Sequence, residues 1–187
     1  MKRALLMLCL LSALPLAAQS GDIPKNVSES VGGTLRFVQG SFLSVAEAMP
    51  ESKYGFVPTA GEFKGVRSFG EQVKHVACGN YAFFNQIEGK KPPEHCEKGG
   101  PSPAKSKAEL IKYLKESFDY SNRVLATINN RNELDRVEGP YAGPNTRLGM
   151  AVTAVWHITD HYGQIVEYLR MNGIVPPQTQ QYGLTVR

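Results

Sequence analysis

Four stretches of the chain carry apolar residues at the three- and four-residue spacing of a helix with one buried face, and the segments between them are rich in glycine, proline and polar residues. The first runs from about Asn26 to Ala48, with Leu35, Val38, Phe42, Leu43 and Val45 on its apolar stripe. Asn26 or Ser28 can cap it, and it stops before Pro50, because the residue preceding a proline avoids helical backbone. The second begins near Ser68, three residues before Glu71, which is the spacing of a capping box, and ends at about Glu88 ahead of Gly89. Its apolar face is Phe69, Val73, Val76, Ala77, Phe83, Phe84 and Ile87. The third repeats the start signal with Ser106 and Glu109 and carries Leu110, Ile111, Leu114, Phe118, Val124, Leu125 and Ile128 to an end near Asn129. The fourth spans about Thr146 to Asn172, with Met150, Val155, Ile158, Tyr162, Ile165, Val166 and Leu169 apolar, and is stopped by Gly173 and Pro176-Pro177. Residues beyond Pro177 read as a tail, and no strand-like alternation competes with the helices.

An all-α four-helix bundle follows from this pattern, and 187 residues suit one domain. Two connections, Met49 to Val66 and Gly89 to Lys105, exceed a short turn and are expected to be long crossover or site-covering loops. The second ends Ala104-Lys105-Ser106, a faint likeness to a phosphate-binding loop. Ala104 stands where that loop requires glycine, prolines interrupt it and no strand precedes it, so the reading is excluded.

The N-terminus modifies the picture. Lys2 and Arg3 precede the apolar run Ala4 to Leu16, followed by Ala17-Ala18-Gln19-Ser20, which is the layout of a signal peptide over residues 1–20. The expected mature chain, residues 21–187, is then an exported protein, periplasmic or secreted. The apolar run is shorter than the roughly 20 residues of a membrane-spanning helix, so no stable membrane insertion is expected. Cys9 lies inside that run and reads as a small hydrophobe. Removal of Lys2 and Arg3 lowers the formal net charge from +4 to about +2 with no basic stripe left behind, so a nucleic-acid partner is not expected. Export makes Cys78 and Cys96 a candidate disulfide. The alternative is Cys78 as a thiolate metal ligand, three residues after His75.

The candidate chemistry lies in the histidines. His157 and His161 are four apart on the fourth helix, so both imidazoles leave one face and can approach a single ion. His75 lies mid-helix among Val73, Val76 and Ala77, where a neutral imidazole needs a buried partner. If the second and fourth helices face each other, the three form a metal site between neighbouring helices; the alternative is a core histidine bonded to a carbonyl. His95, beside Cys96 in a polar loop, reads as solvated.

These residues carry a resemblance. Through His75-Val76-Ala77 and above all the run from His157 through Asp160-His161-Tyr162-Gly163-Gln164 to Pro177, the chain resembles the DinB-like superfamily, also called YfiT-like metal-dependent enzymes. The likeness covers essentially the whole mature chain, including Tyr54 to Pro58 and Ser68. The family's three-histidine site falls on His75, His157 and His161, which implies a bound divalent ion, usually zinc or nickel, in a four-helix bundle. Despite its name the family is unrelated to the DNA polymerase. Its members include thiol transferases and a maleylpyruvate isomerase, so the resemblance implies an open metal position that activates a water or thiol toward a small-molecule substrate, without specifying the reaction. Asp160, Glu167, Tyr168 and Tyr54 are the acid or base candidates, although Asp160 points about 100° away from His161 around the helix. A non-catalytic, metal-stabilised interaction module is the alternative, and pairing into a homodimer through exposed helix faces is compatible with either.

Overall fold

The computed structural model describes residues 22–94, 106–140 and 143–181. Its four long helices are α1 (Val27–Ala48), α2 (Phe69–Ile87), α3 (Lys107–Leu125) and α4 (Arg147–Met171), with a short α5 (Pro177–Gln181) after them. Asn26, Ser68, Ser106 and Thr146 cap the four long helices, each accepting from the backbone N–H three residues on. At Ser68 the box is complete, because the Glu71 carboxylate also takes the Ser68 backbone N–H at 2.7 Å. Gly89 (φ 69°) and Gly173 (φ 72°) follow α2 and α4 in the left-handed conformation that favours glycine and ends a helix.

α1 and α2 each pack against both α3 and α4. The connections from α1 to α2 and from α3 to α4 therefore run between helices that are not principal neighbours, which gives the bundle its crossovers. The core they enclose includes Leu35, Phe42 and Val45 of α1, Phe69, Val73, Val76 and Phe84 of α2, Leu114 and Phe118 of α3, and Met150, Ile158, Ile165 and Leu169 of α4. Two cations close helix C-termini where backbone carbonyls lack partners. Arg147 donates from Nη1 to the Ile87 carbonyl at 2.9 Å, and Lys107 Nζ bonds the Glu47 and Met49 carbonyls at 2.6 and 2.7 Å.

Three expectations change. The third helix ends at Leu125, four residues before Asn129, because the chain turns there: the Thr127 hydroxyl bonds the Val124 carbonyl and the Asn132 side chain takes the Asn129 N–H. The connection to α4 contains a two-residue antiparallel ladder, β1 (Arg136–Val137) with β2 (Asn145–Thr146), too short to show as alternation in sequence. The segment after Pro177 is also more than a tail. Gln178 of α5 accepts from the Tyr162 hydroxyl of α4 at 2.6 Å and donates to Ser41 of α1, which ties three helices together. The crossover before α2 is ordered by a 3₁₀ turn (Glu51–Lys53), by the Tyr54 hydroxyl on the Ala46 carbonyl at 2.6 Å, and by Phe56, whose ring stands edge-on to Tyr168. Among the described residues no helix is long and apolar enough to cross a membrane.

Phe118 is fully buried between the helices, so Phe118→Ala should cost about 3–5 kcal/mol through the cavity it leaves. Ser68→Ala should cost about 1 kcal/mol through the lost cap. Both are read as shifts of the urea midpoint, and a Phe118→Ala loss no larger than that of Ser68→Ala would contradict the packing described.

Candidate metal centre

α2 and α4 share a seam on which side chains one helical turn apart meet in reverse order, so the two helices are antiparallel there. Gln72 of α2 donates to Gln164 of α4 at 2.8 Å. One turn further along α2, the His75 ring packs edge-on to His161, with centroids 4.7 Å apart, and its Nε2 lies 3.0 Å from Nε2 of His157. A further two turns on, Phe83 stands edge-on to His157 at 5.2 Å. The spacing of His157 and His161 on one helix and the pairing of that helix with α2 thus gather three rings at one level of the bundle.

This level sits where imidazole is held neutral. Burial, reinforced by the positive charge that His161, His75 and Arg67 would place beside it, pulls His157 from its ordinary 6.5 to about 3. His161 is buried and is likewise lowered, chiefly by desolvation, with Asp160 opposing and Arg67 reinforcing the shift. Arg67 precedes the Ser68 cap, and its carbonyl accepts from the Tyr168 hydroxyl at 3.1 Å. A carboxylate orients the polar layer next to the rings. Asp160 accepts from Gln164 Nε2 at 2.9 Å, which turns the Gln164 oxygen to Gln72 and leaves the buried Oε1 of Gln72 without a hydrogen-bond partner.

The donor set fits a divalent transition metal. The ligating nitrogens of His75, His157 and His161 all lie within 4.8 Å of one another, and two nitrogens 3.0 Å apart can both reach one ion at the roughly 2.0–2.1 Å of a zinc–imidazole bond. Neutral imidazole is the ligating form, and the lowered pKa of His157 keeps its nitrogen available well below neutral pH. The buried Nδ1 atoms of His157 and His161 have no hydrogen-bond partner, so neither histidine is explained as a core residue satisfied by a carbonyl. Cys78 is disulfide-bonded, which removes it as a thiolate ligand; Cys96, the expected partner, and His95 lie outside the described residues, as do the proposed leader and Cys9.

The acid or base candidates do not gather at the rings. Tyr54 is committed to the Ala46 carbonyl, and burial together with Glu47 and Glu51 raises its pKa, so it is a structural donor. Tyr168 is buried and spends its hydroxyl on Arg67, and Glu167 is exposed beside Arg170. Asp160 is exposed and reaches the seam only through Gln164. Three contributors were missed by sequence reasoning: Gln72, Arg67 and Gly79. A Cβ at Gly79 would fall 2.6 Å from Cε1 of His157, and a glycine in the helix interior four residues after His75 was the available signal.

A family model for the DinB superfamily matches residues 34–165. The chain belongs to the DinB superfamily. No curated protein matches it significantly. Among solved structures, this DinB chain is similar to a DinB-like protein from Bacillus cereus (TM-score 0.64, 13% identity, covering 80% of this chain and 95% of that one). It is also similar to a DinB-like protein from Bacillus subtilis (0.59, 17%, 77% and 92%) and to the colibactin self-resistance protein ClbS (0.59, 14%, 80% and 98%). These likenesses show the shared fold. ClbS was crystallised with double-stranded DNA, which overturns the expectation that a nucleic-acid partner is excluded. A modest net charge was too coarse a ground for it, because phosphate contacts depend on where cations lie rather than on their sum.

Because His157 binds its proton far less readily when folded than the ordinary 6.5 of an unfolded chain, the unfolded state carries the extra proton between those values. The metal-free protein should therefore lose stability as pH falls from about 6.5 toward 3, and gain none from this group above 6.5. Urea midpoints across that range should show a shallower pH dependence in His157→Ala; an identical dependence would contradict the buried neutral imidazole.

Proposed function

We propose that this DinB protein is an exported metal-dependent hydrolase in which His75, His157 and His161 hold one divalent ion, zinc or nickel. The observation that carries the reading is the convergence of three imidazoles, with no further His, Cys, Asp or Glu grouped with them among the described residues. Three protein ligands are the set found in catalytic zinc sites, which keep a position for water or substrate, whereas structural sites are closed by four. A divalent ion in such a set supplies Lewis acidity and lowers the pKa of a coordinated water or thiol.

The chain's own groups divide the remaining work. Burial of His157 and His161 keeps protons from competing for the ligand nitrogens. Asp160 orients Gln164 and through it Gln72, which presents a buried acceptor one turn from His75. Arg67 brings positive charge to the same end of the seam, which favours substrates that are anionic or become so during reaction.

Hydrolysis is preferred to thiol transfer because low-molecular-weight thiols are chiefly cytoplasmic, while the N-terminal leader pattern and a disulfide-bonded Cys78 both suit an oxidising compartment. A purely structural ion is less consistent with the seam, since Val73, Val76, Ile158 and Ile165 already pack α2 and α4 into the apolar core.

The purified protein should contain zinc or nickel, lose melting temperature on chelation and recover it on reloading. His75→Ala and His157→Ala should each weaken metal binding by more than the roughly 10–100-fold that loss of an outer-shell partner costs. Unchanged uptake in both variants would sink the site. Metal-dependent cleavage of ester, amide or phosphoester probes, with double-stranded DNA included because of ClbS, tests catalysis; a loaded protein inert to all of them would favour the interaction module.

A further inference from the structure

We propose that Gly79 is a positioning residue, the seat that fixes the His157 imidazole against α2 and aims it at the metal position. The inference rests on the metal reading above and adds a residue to it. His75, Gly79 and Phe83 are spaced by four on α2, so they stand in one row along the seam. The first and last members of the row both touch the His157 ring, through the 3.0 Å nitrogen contact and the 5.2 Å edge-on ring contact. The middle member is the floor beneath it. An added Cβ at residue 79 would lie 2.6 Å from Cε1, 3.2 Å from Nδ1 and 3.5 Å from Nε2, so the ring occupies the volume that any other side chain would fill.

No other helical glycine faces a histidine. Gly33, Gly40 and Gly163 have open space where a Cβ would go, at Gly32 the nearest atoms are the ends of the Arg36 and Leu125 side chains, and Gly70 and Gly149, in the first turns of α2 and α4, are crowded by Tyr54 and by Asn145 and Thr146 of the segments leading into those helices. Glycine inside a helix is less favourable than alanine, so an interior glycine facing a packed ring is a position where close approach outweighs helix propensity. His157 cannot retreat along the seam either, because Phe83 stands on its far side. A methyl group at residue 79 must therefore rotate or lift the imidazole and separate its Nε2 from that of His75.

The test is Gly79→Ala, with zinc binding measured by calorimetry and the visible spectrum of the cobalt-loaded protein as a second readout of coordination. The variant should bind zinc at least about tenfold more weakly and give an altered cobalt spectrum, and the metal-free protein should melt lower, because displacing a packed ring outweighs what alanine returns to the helix. Combining Gly79→Ala with His157→Ala should add no further loss of affinity beyond His157→Ala alone, because the seat then has nothing to hold. If Gly79→Ala fails to fold, it should fold once His157→Ala frees the space; failure there too would overturn the proposal. Wild-type zinc affinity and cobalt spectrum in Gly79→Ala would overturn it while leaving the three-histidine site intact. Absence of zinc binding in the wild type would remove the metal reading and this inference together.

Discussion

Three imidazoles share one level of the α2–α4 seam, and much of the local structure follows from holding them there. Imidazole is polar on both nitrogens and costs free energy when buried unless those atoms are occupied. Here the rings pack on one another and on Phe83, and burial holds His157 and His161 neutral. A seam of ordinary apolar side chains would be simpler to pack. The close packing of these rings on α2 explains why a glycine, rather than a larger core residue, faces His157.

The fold supplies rigidity to that level from several directions. The capping box at Ser68 sets where α2 begins, Tyr168 of α4 takes the Arg67 carbonyl just before that cap, and the Phe56 ring leans on Tyr168. The crossover from α1 therefore reaches the site end of the seam as an ordered segment whose backbone is pinned to α4. At the other face, Gln178 joins α1 to α4 through Ser41 and Tyr162. Positions at the seam are thus fixed by contacts that span the sequence, which is the condition for a site whose geometry must hold to fractions of an ångström.

Much of this was legible in the sequence because it rests on local signals. Capping residues, apolar spacing and helix-ending glycines fixed the four helices to within a few residues, and the i, i+4 spacing of His157 and His161 showed that the two shared a face. His75 stood out by its place among apolar residues, but that α2 faces α4 was implied only by the likeness to a known family, since nothing local says so. Several misses are of one physical kind. The role of Gly79 is set by a ring on another helix, the commitment of Tyr54 by a carbonyl on α1, and the docking of Gln178 by two other helices. Such roles exist only after tertiary contacts form, and no local periodicity carries them.

The family likeness and the site contribute different kinds of knowledge. Solved structures at 13–17% identity with TM-scores near 0.6 agree on the path of the backbone, and a four-helix bundle with crossovers can host unrelated chemistry. Beyond the fold, the groups one turn from the rings set the local environment of the site. Asp160 is an acceptor only, so it dictates the orientation of both glutamine amides, and the last atom in that chain is a buried oxygen one turn from His75. That oxygen is closed off from solvent, so the polar layer ends inside the seam, and the charge of Arg67 adds to desolvation in lowering the pKa of His157 and His161.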